Sequence, residues 1–352
     1  MKRSKVFFAL IMIAFIFFCG KVIFTPYPFP DIFLFPKVPE EVRKSVTIEG
    51  ASLGRLLFYD PVLSMDSTVS CSSCHDPRFA FSDPQKTFSL GVGNGKTARN
   101  ARPLFNLAWQ RSFFYDGRAS NLPDQVSHPI TARNEMNMNW QEITRRLNSN
   151  KGYKQKFGEL FKEKRIDSNM VKDVVSQFLF TLISSDSKFD RVMAQKDKFN
   201  EEEFRGFGLI NNQTRADCLH CHPTDGNGLM TTFAFSNNGL DSVFNPEKFK
   251  DKGRGGVTGK NTDNGKFMIP SLRNIALTGP YMHDGRFKTL EEVMEFYSSG
   301  VHLSANVDSK MGFAYQKGAK LSEREKKDII AFLHTLTDSV FISNAEFSNP
   351  HK

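Results

Sequence analysis

Four of the five cysteines fall in two C-x-x-C-H runs, Cys71-Ser-Ser-Cys74-His75 and Cys218-Leu-His-Cys221-His222. Two thiols three residues apart can form thioethers to neighbouring vinyl groups of one porphyrin, and the adjacent imidazole then turns under the ring to bind iron. A disulfide, a thioredoxin-like pair or a zinc site needs no histidine directly after its second cysteine, so two such runs point to two covalently bound haem c groups. His75 and His222 are then one axial ligand each. What faces the other side of each iron decides function, because a filled position favours electron transfer and a vacant one admits peroxide or oxygen.

An internal repeat bears on that question. Leu104-Phe-Asn106-Leu-Ala108 returns as Leu272-Arg-Asn274-Ile-Ala276, Tyr115-Asp116-Gly117-Arg118 as His283-Asp284-Gly285-Arg286, and Leu122 as Leu290, all offset by 168 residues. Each copy lies downstream of one C-x-x-C-H run, which indicates two copies of one haem module. In the second copy Met294, Tyr297 and, in a following loop, Met311 are candidate sixth ligands. Carried back by 168, Tyr297 falls on Pro129, which cannot bind iron, so the first haem is expected to be open. A slip of one residue would instead offer His128. Gln125 and Glu135 lie near that face, an amide able to fix a bound ligand and a carboxylate able to carry a proton.

The elements that must position these groups are mostly helical. Gly50 to Phe58 reads as a helix stopped by Asp60-Pro61, Met170 to Ser184 and Leu290 to Tyr297 carry helical periodicity, and Ser322 to Glu325 is a capping box opening a terminal helix. The Gly/Asn-rich stretches Gly91 to Gly95 and Gly253 to Gly265 read as loops. Few segments alternate with period two, so the fold class is mostly α: two cytochrome-c-like domains in tandem with long loops.

Lys2, Arg3 and Lys5 precede an apolar run from Val6 to Cys19, the pattern of a signal peptide or of an uncleaved or lipid-bearing anchor, with Cys19 placed where acylation would occur. Five prolines between Pro26 and Pro39 suggest an extended tether. The expected division is 1–20 signal or anchor, 21–46 tether, 47–200 first haem domain, 201–342 second haem domain and 343–352 tail. Formal charge is +9, which four haem propionates would bring to about +5. No basic run suggests nucleic acid, membrane contact is expected only through the N-terminus, and the body is placed in the periplasm or another extracytoplasmic space.

From Gly50 to Asp338 the chain resembles the bacterial di-haem cytochrome c peroxidase and MauG family. The likeness rests on Cys-Ser-Ser-Cys-His-Asp-Pro at 71–77, Phe-Phe-Tyr-Asp-Gly-Arg at 113–118, Gln125 ten residues before Glu135, Leu272-Arg-Asn274 and Tyr281-Met-His-Asp-Gly-Arg286. It implies a peroxidatic haem on His75, working through a high-valent iron with Gln125 and Glu135 in its distal pocket, and a relay haem on His222. It also implies a calcium ion held by Asn100 and the carbonyls of Thr278 and Pro280. Val92 stands where ordinary peroxidases have a capping histidine. Tyr297 takes the place of their axial methionine, as in MauG, and Tyr115 replaces an inter-haem tryptophan, as a redox-active bridge or as packing. The resemblance implies an enzyme that reduces hydrogen peroxide with electrons from a small redox protein such as a c-type cytochrome. A MauG-like oxidase acting on a partner protein, and a di-haem electron carrier without enzymatic activity, are the alternatives.

Overall fold

The computed structural model describes residues 24–84 and 86–351. In chain order the helices are α1 (Glu40–Ser45), α2 (Ile48–Tyr59), α3 (Leu122–Thr131), α4 (Trp140–Ser149), α5 (Lys151–Phe161), α6 (Ser168–Thr181), α7 (Lys188–Met193), α8 (Glu201–Ile210), α9 (Arg254–Thr258), α10 (Leu290–Glu295), α11 (Glu323–His334) and α12 (Ser339–Ile342). The strands described, β1 (Phe235–Ser236) and β2 (Phe267–Met268), form one short antiparallel pair. The mostly α expectation is met.

Each module is framed by one tight helix crossing. α2 starts where the Thr47 hydroxyl accepts from Gly50 N, and it stops at Asp60, because Pro61 has no N–H to continue it. Its apolar face buries Leu53, Leu57 and Phe58. At Gly54 it meets α6 so closely that a Cβ would lie 1.8 Å from the Val174 carbonyl oxygen. The second module repeats the device, since a Cβ on Gly206 of α8 would lie 2.0 Å from the Asp328 carbonyl oxygen on α11. The Ser322 capping box that opens α11 is formed, with Glu325 N donating to the Ser322 hydroxyl.

The 168-residue repeat is structural. Asn106 and Asn274 both adopt left-handed backbone (φ 55° and 56°), as do Phe114 and Met282 and then Gly117 and Gly285. Isolated bridges join Phe113 to Ala119 and Tyr281 to Phe287. α3 and α10 begin at the same offset on side-chain caps, Asn121 accepting from Asp124 N and Thr289 from Glu292 N. The two asparagines also tie the crossing between modules: Asn106 Nδ2 donates to Ser184 O, and Asn274 Nδ2 to Ser184 Oγ. Buried Asp338 accepts there from Ser184 Oγ and from the backbone N–H groups of Ser185 and Asp186.

Four expectations are corrected. Residues 24–46 are no free tether. Tyr27 N donates to Val46 O (3.0 Å), α1 forms, and Phe29, Val38, Val42 and Val46 bury against Ala51 and Ala108. The strap continues onto the second module, where Gly228 N donates to Leu34 O (2.8 Å) and Arg273 stacks over Phe35. Pro39 holds extended backbone (φ −52°, ψ 139°), but the apolar residues between the prolines supply the packing. Residues 343–351 are likewise no loose tail: Phe347 enters the first core, Tyr59 Oη donates to its carbonyl, and Arg55 donates to Ser348 O. Finally, Phe189 lies in the second core with Ile210 and Phe332, so the chain leaves the first core before residue 200. The Gly253–Gly265 loop contains α9, whose Gly255 fits against Asn264 where a Cβ would lie 1.9 Å from Oδ1. Residues 1–23, with the signal or anchor pattern and Cys19, lie outside the described residues.

Candidate active site at the two haem-attachment motifs

Cys71 and Cys74 sit on a short 3-10 turn held by Ser70 N donating to Ser73 Oγ and Cys74 N to Cys71 O. The next turn, with Ala80 and Phe81 in left-handed backbone, aims the Phe81 carbonyl at His75 Nδ1, 2.7 Å away. A carbonyl only accepts, so Nδ1 carries the proton and Nε2 keeps the lone pair a metal needs. Burial lowers the His75 pKa and holds the ring neutral. Burial also pushes the thiols up, Cys71 to about 12 and Cys74 to about 11, so neither is a ready thiolate ligand.

These three residues line a single cavity. Gln125, Pro129, Glu135 and Met136 line it as well, with Phe58, Val175 and Leu179 closing it apolarly. A neutral imidazole with a free Nε2 and two thiols, all lining one apolar-walled cavity, fit a covalently attached haem. His128 is not part of the lining. Its ring packs edge-on against Phe114 (5.2 Å), 3.8 Å from Asp124 and 42% exposed. The repeat therefore holds without slippage, and Pro129 is the residue that faces the cavity.

Glu135 is fixed through its backbone. Its N–H donates to Ala132 O (3.1 Å), and its carbonyl accepts from Val92 N (2.8 Å). Burial raises its pKa, and the Arg118 guanidinium opposes that rise. Arg118 lies 3.5 Å above the Phe114 ring and pairs with Asp116. Gly91 explains the tight fit of the 91–95 loop, since a Cβ there would lie 2.4 Å from the carbonyl oxygens of both Asn134 and Glu135. Val92 is thus on a loop clamped to the distal turn.

In the second motif His222 N donates to Cys218 O (2.8 Å), and the ring Nδ1 lies 3.3 Å from Met230 O, the same tautomer-fixing arrangement. Burial takes its pKa down to about 4. Tyr297 is half-buried beside both Cys218 and Cys221, and the loss of solvent at its hydroxyl pushes its pKa to about 12. Its Oη accepts from Asn238 Nδ2 at 3.0 Å. The helix that carries it changes from α to π at Phe296–Gly300, a widened turn of a kind that recurs at functional sites. Met294 is packed into the second core, and Met311 into a neighbouring cluster with Phe296 and Val301.

Between the modules Tyr115 is half-buried, its pKa pushed to about 12 by the loss of solvent at its hydroxyl. Its carbonyl accepts from Met268 N (2.7 Å), its Oη lies 3.5 Å from Met282 O, and the Arg102 guanidinium sits 5.3 Å above its ring. Arg99 joins the modules by pairing with Asp116 (2.6 Å) and Asp251 (2.7 Å). Asn100 N donates to His283 O, and its Nδ2 donates to Lys86 O and Thr87 O. Thr278 and Pro280 lie in the second module on either side of Gly279. Sequence reasoning missed the Phe81 carbonyl, Arg118 as a neighbour of Glu135, and Asn238. Arg118 was visible in the repeated Asp-Gly-Arg motif, whereas Asn238 carried no signal.

Two attachment motifs with pinned histidines, one opening on a carboxylate-bearing cavity and one with a tyrosine beside its cysteines, define a di-haem c-type oxidoreductase. The family model described as di-haem cytochrome c peroxidase matches residues 48–198. The methylamine utilization protein MauG of Methylorubrum extorquens is 35% identical over 303 residues, 85% of this chain and 81% of that protein. Cytochrome c551 peroxidase of Nitrosomonas europaea is 32% identical, over 85% of this chain and 84% of its own. A solved MauG-like protein associated with microbial copper homeostasis superposes with a TM-score of 0.82 at 31% identity, over 93% of this chain and 99% of that one. The chain belongs to the di-haem cytochrome c peroxidase and MauG family, and it is an oxidoreductase with two haem c groups.

Proposed function

We propose that the enzyme activates hydrogen peroxide in the His75 cavity and draws the reducing electrons from a small external redox protein such as a c-type cytochrome. The observation that carries this reading is the cavity itself, with His75 in one wall and Pro129, Gln125 and Glu135 in its lining. When bound, the haem supplies an iron that accepts oxidising equivalents from peroxide and passes them on. The side chains do the rest. Pro129 has no group able to occupy the sixth position. Glu135 takes a proton from one peroxide oxygen and returns it to the other, and its raised pKa brings it closer to the working pH. The Gln125 amide orients the bound oxygen pair by hydrogen bonding.

His222 would hold the relay haem, and Tyr297, steadied by Asn238, would supply a second ligand to its iron. A phenolate ligand favours oxidised iron. Tyr115, spanning the two modules, is the bridge across which equivalents move. The Asn100 amide oxygen, with its Nδ2 committed to two carbonyls, is free to meet calcium together with the Thr278 and Pro280 carbonyls. The chain works outside the cytoplasm and is held at a membrane by its N-terminal apolar segment. Among the described residues no helix is long and apolar enough to cross a membrane.

Optical and EPR spectra of the ferric holoprotein test the reading. One high-spin and one low-spin haem are expected, with a change of the high-spin species on adding peroxide; two low-spin haems inert to peroxide would reduce the protein to an electron carrier. A second reading, oxidation of residues in a partner protein, is favoured by Tyr297, by Val92 and by the likeness to MauG. Sustained turnover with reduced c-type cytochrome selects the peroxidase, and a long-lived oxidised protein with negligible turnover selects the tailoring enzyme.

A further inference from the structure

α5 is seated on the first core through Tyr153 and Phe157, and Tyr153 Oη donates to Asp60 Oδ2 (2.5 Å). At 3.6 residues per turn this leaves Lys151, Lys154 and Lys156 in solvent. Lys162 closes the helix in left-handed backbone, and Lys164 and Arg165 follow, all three exposed. The turn carrying them is tied to α4 by reciprocal bonds between Asn148 and Ile166, 2.9 and 3.0 Å. Six cations stand against two carboxylates, Glu159 and Glu163, a net +4 in fifteen residues. Among the described residues none of the six makes an ion pair, whereas Arg145 and Arg146 of adjacent α4 are both satisfied by Glu142. The charge is held on a fixed platform and is not spent on the fold.

The place where the chain leaves this platform gives the charge its context. Pro26 bridges Thr47, Ile48 N donates to Thr25 O (2.9 Å), and Thr25 N donates to Glu49 (3.1 Å), which pins residues 24–26 to the start of α2. The Phe24 ring lies 5.8 Å from Lys162 Nζ. Five residue steps connect Phe24 to Cys19, the end of the apolar run, and they span at most about 17 Å. α5 itself is about 16 Å long. A retained anchor therefore keeps the basic face close to the lipid surface, near the range over which exposed charges act.

We propose that the face formed by α5 and the Lys162–Arg165 turn docks on anionic phospholipid headgroups beside the N-terminal anchor and fixes the orientation of the enzyme on the membrane. This rests on the anchored reading given above and adds a second membrane contact to it. An acidic redox partner is the weaker occupant, because a face this close to the anchor is shadowed by the bilayer. The six cations also include one arginine and no aromatic, unlike the Trp, Tyr and Arg anchors of protein interfaces.

The full-length holoprotein tests this in two steps. Flotation with phosphatidylcholine vesicles reports the anchor. Lysine labelling with a membrane-impermeant amine reagent, read by mass spectrometry, is then compared in nanodiscs of phosphatidylcholine alone and of phosphatidylcholine with phosphatidylglycerol. Labelling of Lys151, Lys154 and Lys162 is expected to fall about fivefold in the anionic discs. Exposed Lys248 and Lys250 of the second module are expected to stay unchanged, and about 0.5 M salt should abolish the protection. In the K151E/K154E/K162E variant, protection at Lys156 and Lys164 is expected to disappear. Equal labelling in both discs, or protection that survives in the variant, overturns the docking face and leaves the anchor standing. A chain that does not float with phosphatidylcholine overturns the anchor and the proposal with it.

Discussion

Replacing Glu135 by glutamine keeps the shape of the distal wall and removes only its capacity to move a proton. The backbone that holds residue 135, through Ala132 O and Val92 N, is untouched, so any loss is chemical rather than geometric. A positioned general acid–base group contributes about 10²- to 10⁴-fold. A middle value of about 10³-fold corresponds to roughly 4 kcal/mol of barrier. To accept the first proton the carboxyl must be ionised, so activity falls as pH drops through its pKa. Burial places that pKa above the ordinary 4.5. The native enzyme should therefore show an acid limb shifted upward from a free glutamate, and the glutamine variant should lose that limb along with the rate. Arg118→Gln removes the cation that opposes the shift and should move the limb to still higher pH. Initial rates of peroxide consumption with excess reduced cytochrome, taken from about pH 4 to 8, measure both effects. A glutamine variant within about threefold of native, with its acid limb intact, would falsify the assignment of Glu135 as proton carrier.

Tyr297→Phe removes the oxygen that Asn238 reaches at 3.0 Å, and the low-spin EPR signal of the second haem should change; an unchanged spectrum moves the sixth position to Met311 or Met294. Gly206→Ala places a Cβ 2.0 Å from a backbone oxygen of α11, which cannot swing aside as a side chain would, so α8 and α11 must separate. The cost should be about 1–3 kcal/mol, read as a lower thermal midpoint, and an unshifted midpoint would refute the tight crossing. Truncation after Ser343 exposes the pocket of Phe347 and should cost about 2–3 kcal/mol in denaturant unfolding, with the first haem's spectrum perturbed more than the second's. For Asp116 and Asp251, burial opposes ionisation, but hydrogen bonds from Arg99 outweigh it and hold both pKa values below the ordinary 3.8. Their contribution is present above that value and fades as pH falls through the lowered pKa, so proteolysis between modules should rise on strong acidification. In Arg99→Gln it should already be high at neutral pH.

The attachment motifs were readable because their chemistry is local: two thioethers and an axial nitrogen need only five consecutive residues. The second copy was readable because a left-handed asparagine, a glycine turn and a capped helix start each leave a mark at fixed spacing. That spacing also identified Pro129 as the counterpart of Tyr297, and the cavity lining agrees. Contacts between residues far apart in sequence left no such mark. Asn238 reaches Tyr297 across 59 residues, and Tyr59 reaches the Phe347 carbonyl across 288. Prolines with aromatics between Pro26 and Pro39 have the composition of a spacer, and only the shape of the surface beneath them shows that Phe29 and Phe35 have places to go. The α9 segment was read as loop because four of its seven residues, counting both caps, are glycine, and helix propensity there yields to the close fit against Asn264.

The first core is completed by both ends of the chain: the strap around Phe29 covers one side, and Phe341 and Phe347 enter from the other. The second core, apart from Leu34, is built from residues between Phe189 and Leu336. A chain made from its N-terminus can therefore finish its second module while the first still lacks a wall. Phe341 and Phe347, the last side chains to leave the ribosome among those of the first core, pack against Phe81, whose carbonyl fixes the His75 ring. A polypeptide cut short near its end keeps the residues of its second core and lacks part of its first.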